Sequence, residues 1–114
     1  MKKRVCIKIY HNKNFSKAHF DSNSFPVSMK KAVLLGRYLY GIKKEDLELI
    51  AEIDTDDLEQ GFALSQNVTD SWVLDSRVKA FKNEARSTFV GDVLEKDNTF
   101  YLVDYLGFTE VELK

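Results

Sequence analysis

Apolar side chains alternate in Arg4-Val-Cys-Ile-Lys-Ile-Tyr10, with Val5, Ile7 and Ile9 on one face and Cys6, Lys8 and Tyr10 on the other. That is the period-two signature of a half-buried strand. Residues 11–25 follow as a long polar loop with three scattered Phe, and a short strand is expected near Lys17–Phe20; loops of this length in small domains are commonly functional. Ser28 as N-cap and Gly41 as C′ residue bracket a predicted helix over 29–40, with Ala32, Leu35, Leu39 and Ile42 facing inward and Lys30, Lys31 and Arg37 outward. Gly36 within that helix costs about 1 kcal/mol relative to Ala, which predicts a close packing contact there.

Alternation returns over Asp46–Asp54, with Leu47, Leu49, Ala51 and Ile53 inward, and the chain passes directly into a second helix. Asp56 and Glu59 have the spacing of a capping box, which accounts for the Asp54–Glu59 acids better than metal binding does. Residues 64–72 leave that helix through a polar loop ending on Trp72, and 73–84 has no decisive period. From Ser87 the alternation resumes through Glu95, a turn at Lys96-Asp-Asn-Thr99, a return strand over 100–105, a bend at Gly107 and a last strand over 108–113. The prediction is one α+β domain over residues 1–114: strand-helix-strand-helix followed by a three-stranded antiparallel meander.

Composition supports a folded chain, at 44% apolar, 31% charged, one Pro and five Gly in 114 residues. Cys6 is the only cysteine, so no internal disulfide can form, a Cys-rich zinc site is excluded and a reducing, cytoplasmic setting is expected. Lys8 interrupts the apolar start that a secretory signal would need, and no segment is long enough to span a membrane. The sequon Asn67-Val-Thr69 is then a chance match. The net charge of −1 hides an asymmetry: eleven Lys/Arg against three Asp/Glu over 1–46, and six against fifteen over 47–114. The two halves either attract one another within the fold or form separate basic and acidic surfaces.

No phosphate loop, paired cysteines, His-Glu-x-x-His helix or Gly-x-Ser-x-Gly elbow occurs, and no cofactor or metal is expected. His11 and His19 share one loop and are read as solvated, and Asp92 and Asp104 as turn organisers rather than a catalytic carboxylate pair. The most specific local pattern is Leu64-Ser-Gln-Asn…Trp72, Arg86-Ser-Thr-Phe-Val-Gly-Asp-Val, Tyr101-x-Val-Asp and Gly107-Phe108. Over about residues 58–113 it resembles an uncharacterised family of small accessory proteins of phages and plasmids, written roughly Leu-Thr-Gln-Asn, Trp, Arg-Ser-Thr-Ser-Val-Gly-Asp-Val and Gly-Phe. Ser65 and Phe89 depart from it. The resemblance implies a setting in which a compact protein binds a host protein and blocks or redirects it, host defence complexes of the anti-CRISPR or anti-restriction type included.

Two functions follow as expectations. The first is a non-enzymatic protein-binding module, with Trp72 partly exposed beside Arg86, Ser87 and Thr88 as the contact patch; the structural alternative for Trp72 is a core anchor that plugs the space under its loop. The alternative is nucleic-acid binding through Lys2, Lys3, Arg4, Lys13, Lys17, Lys30, Lys31 and Arg37. Arg86 with Ser87 and Thr88 also admits a purely structural reading, with the guanidinium paired to an acid and the hydroxyls bonded to local backbone.

Overall fold

A computed structural model of the protein describes residues 6–14, 26–68 and 70–114. The chain is α+β, with two α-helices and a six-stranded antiparallel sheet among the described residues. Its elements are β1 (Ile7–Asn12), α1 (Val27–Arg37), β2 (Leu47–Ile53), α2 (Leu58–Leu64), β3 (Val78–Ala80), β4 (Val93–Lys96), β5 (Thr99–Val103) and β6 (Phe108–Val111). Short 3₁₀ turns occupy Lys44–Asp46 and Trp72–Leu74. The strand order is β3-β2-β1-β4-β5-β6, so β1 lies at the centre, between two strands distant from each other in sequence.

Both faces of the sheet are covered, and alternation along β1 sorts side chains between them. Ile7 and Ile9 join Ala51, Ile53, Leu94 and Val103 in one apolar cluster, roofed by Leu58, Phe62 and Leu64 of α2 and by Trp72 and Val73. Tyr10 belongs to the opposite cluster with Val93, Leu102 and Leu47, over which α1 lays Leu34 and Leu35 and the residue after it, Tyr38. α2 comes so close to β1 that a Cβ on Gly61 would lie 3.0 Å from Ile7 Cγ2, so any larger residue there would require the Ile7 side chain to give way by a few tenths of an ångström.

Several sequence expectations are corrected here. The strand β3 sits where no period was legible; three residues with one edge paired to β2 are too few to show alternation. The segment 87–92 is not a strand; β4, β5 and β6 pair consecutively and antiparallel, and through β4–β1 they are half of one larger sheet. In β2 the register shifts opposite Ile9 and Tyr10, because Ile9 pairs with Ala51 and Tyr10 with Leu49, leaving Ile50 as an extra residue. That bulge turns Leu47 to the α1 face while Ile50, Ala51 and Ile53 face α2, which strict alternation could not foresee.

α1 begins at Val27 with Pro26 as its N-cap and no side-chain cap, so Ser28 lies inside the helix. Its only buried residue is Leu34; Ala32 and Leu39, read as inward, are exposed, and Ile42 is buried beyond the helix end. The helix stops at Arg37, and after the turn over 38–40 Gly41 takes φ +102°, where a Cβ would meet Glu112 O at 2.7 Å. Ile42 then donates to Glu112 O at 2.8 Å and bridges Leu113 beside β6. α2 is capped by Asp57, whose carboxylate accepts from Glu59 N at 3.0 Å, and not by Asp56. The short strand expected near Lys17–Phe20 lies outside the described residues.

Candidate functional site

The family-like pattern converges on one knot at the α2 side of the sheet. Asp92, fully enclosed, accepts from Asn12 N at 2.8 Å and Phe89 N at 2.9 Å. Arg86 closes on the same carboxylate with two parallel bonds, Nη1 to Oδ2 at 2.7 Å and Nη2 to Oδ1 at 2.8 Å. The guanidinium lies 4.1 Å from the Phe89 ring centre, with its side chain 41% exposed. Such a fork combines charge with fixed geometry. The hydroxyl of Thr88 shares a 3.2 Å hydrogen bond with His11 Nε2, which lies 4.0 Å from Asp92 Oδ2.

The rest of the pattern ties the loop after α2 to the strand entry. Thr88 N donates to Ser65 O, Gln66 Nε2 to Thr88 O, and Asn67 N to Ser87 Oγ. Asn67 also bonds Ala85 O and, through Oδ1, Trp72 N. Trp72 is 3% exposed, and its indole donates to Arg86 O at 2.8 Å. The expectation that Trp72 is partly exposed is therefore overturned: its ring fills the space beneath the loop and its one polar atom is satisfied by the chain itself. Thr88 is buried as well, Ser87 is half-buried, and Arg86 alone of the four is exposed.

A hydroxyl, an imidazole and a carboxylate together invite comparison with a nucleophilic triad. In such a triad the carboxylate holds the ring nitrogen remote from the nucleophile. Here Thr88 and Asp92 both lie at Nε2, Thr88 is sealed from solvent and both Asp92 oxygens are taken by Arg86. Burial depresses the His11 pKa from 6.5 to about 4, opposed by the Asp92 charge and reinforced by Arg86. A neutral, enclosed imidazole orders the knot. His11 is thus an inward residue of β1 rather than a solvated loop residue, while His19 lies outside the described residues.

Asp104 organises the turn before β6, accepting from Leu106 N and Gly107 N at 2.7 Å and from Thr109 Oγ1 at 2.6 Å. Burial works against its charge, but these bonds and Lys31, 3.8 Å away, hold its pKa below the ordinary value. Both aspartates thus organise turns and do not face one another as a catalytic pair.

The other notable surface is the outer side of α1. Met29 and Val33 are 49% and 51% exposed, and Tyr40 in the following turn 84%. Met29 and Val33 lie one helical turn apart on the side of α1 away from Leu34, whereas Tyr40, beyond the helix end, shares a hollow with Glu110 and Glu112. A Cβ on Gly36 would meet nothing within 4 Å, so the close packing contact expected there is not made. Val27 at the start of the helix and Leu39 in the turn after it are exposed as well. The sequence missed this face because the residues taken as inward were displaced by part of a turn; a helix with apolar residues nearly all round was the available signal.

Of the basic candidates, Lys2, Lys3, Arg4 and Lys17 lie outside the described residues. Lys31 faces Asp104, Lys30 lies 5.9 Å from the Tyr105 ring centre, and Arg37 donates to Asn14 O at 3.0 Å. Lys13 N donates to Asp46 O, which brings Lys13 to the end of the sheet that also carries exposed Lys43 and Lys44. The acids Asp54, Asp56, Asp57 and Glu59 follow the opposite end of β2. Charge is thus partly balanced inside, through Lys31–Asp104 and through Lys8 set between Glu52 and Glu95, and partly separated along β2. Among the described residues no group of three or more His, Cys, Asp or Glu could hold a metal ion, and no helix is long and apolar enough to cross a membrane. Compared with known protein families, curated proteins and solved structures, the chain matches none.

Proposed function

We propose that the protein is a non-enzymatic binding module for a bacterial host protein, acting in the cytoplasm as an accessory factor of a phage or mobile element. Inhibition of a defence complex, of anti-CRISPR or anti-restriction type, or of a regulatory complex is the use we assign to that binding. The setting rests on the family resemblance. The binding reading rests on one observation, the exposure of the apolar side chains Met29 and Val33 on the outer side of α1 and of Tyr40 in the turn that follows it. Single exposed apolar residues are ordinary, as Val68, Leu74, Phe81 and Leu106 are on this domain; several on one helix and its following turn are what we read as a contact surface. A helix presenting anchors at such spacing suits docking against a groove or another helix. This moves the contact patch from the Trp72 loop, whose polar groups are used internally, to α1.

The test is a photo-cross-linking residue at position 33 in the full chain, exposed to bacterial lysate. Capture of a host protein should be lost in Val33→Asp and reduced in Tyr40→Ala, with neither variant melting more than a few degrees below the parent. Capture that ignores both substitutions, or no capture, overturns the reading.

Exposed Lys13, Lys43 and Lys44 at one end of the sheet favour the second reading, nucleic-acid binding. Binding driven by phosphate contacts must weaken steeply with salt. A mobility shift with DNA or RNA at low salt that disappears in Lys13→Glu/Lys43→Glu would support it; no shift at low salt would reject it.

A further inference from the structure

We draw no further inference here: the strongest candidate, the hollow between the turn after α1 and the end of β6 where exposed Tyr40 lies beside the exposed carboxylates of Glu110 and Glu112, carries nothing because it is an acidic cluster beside a ring and no second observation among the described residues points to a ligand for it.

Discussion

Trp72 and His11 are single residues whose surroundings are built from segments far away in the chain, and both carry measurable consequences. The Trp72 ring is enclosed and its indole N–H is satisfied by Arg86 O. Trp72→Ala should cost about 3–5 kcal/mol in a denaturant melt, and parent fluorescence should be blue-shifted; an unshifted spectrum with an unchanged midpoint would contradict the enclosure. His11 gives a pH signature. In the unfolded chain it takes up a proton below about pH 6.5, but in the folded protein only near pH 4, chiefly because burial disfavours the charged ring. Between those values the unfolded state binds more protons, so stability is fully present above about pH 6.5 and declines as pH falls toward 4, by on the order of 3 kcal/mol. Urea melts across this window should show the decline, and His11→Asn, which keeps a polar partner for Thr88, should flatten it. A decline of equal size in that variant would assign it to other groups.

The β4–β5 hairpin is the element that local sequence specified best. Asp97 and Asn98 form a two-residue turn with φ +50° and +64°, the left-handed pair that matches the twist of the flanking strands. Asn98→Gly should therefore stabilise by on the order of 0.5 kcal/mol, and Asn98→Val should destabilise by about 1–2 kcal/mol. Within β4, Val93 is fully buried opposite Leu102, so Val93→Asp places an unpaired charge in the α1-side cluster and should unfold the protein. Lys96→Ala beside the turn should stay within about 0.5 kcal/mol of the parent. Thermal melts of the four variants check the assignment, and equal midpoints for Val93→Asp and Lys96→Ala would show the strand to be misplaced. α1 was legible only as a helix. Its ends and its buried face were not, because Leu34 rather than Ala32 or Leu39 meets the sheet.

Across the fold the two layers are unequally anchored. β1 is hydrogen-bonded on both edges and covered on both faces, while α1 is held by one fully buried side chain and a few half-buried ones. Regions with little buried apolar contact open locally at free energies below the global value. Native-state hydrogen exchange should therefore find α1 amides exchanging through local opening, and amides of β1 and β4 exchanging only with global unfolding. Leu34→Ala should widen that gap by loosening α1 further while the sheet keeps its protection; uniform protection in both layers would refute the picture. A loosely held helix with an apolar outer face is also the element most readily remodelled by a partner.

Element type and the α+β class were written in local periodicity and turn chemistry, since alternation, helical spacing and an Asp-Asn turn act within a few residues. Asp92 and Asp104 as turn organisers were equally legible, because their bonds to Phe89 N, Leu106 N and Gly107 N span two or three positions. The side of the sheet that each residue faces was not, because one bulged residue, Ile50, changes the face of what precedes it and is visible only in the pairing of β1 with β2. Nor was the choice between the contact and the structural reading of the Arg86-Ser-Thr-x-Val-Gly-Asp-Val pattern, which falls to the structural one once Arg86 forks Asp92 and Asn12, 80 positions away from Asp92, bonds the same carboxylate. Packing brings such distant groups together only when the whole sheet has closed, and that closure turned Trp72 inward and left Met29, Val33 and Tyr40 in solvent.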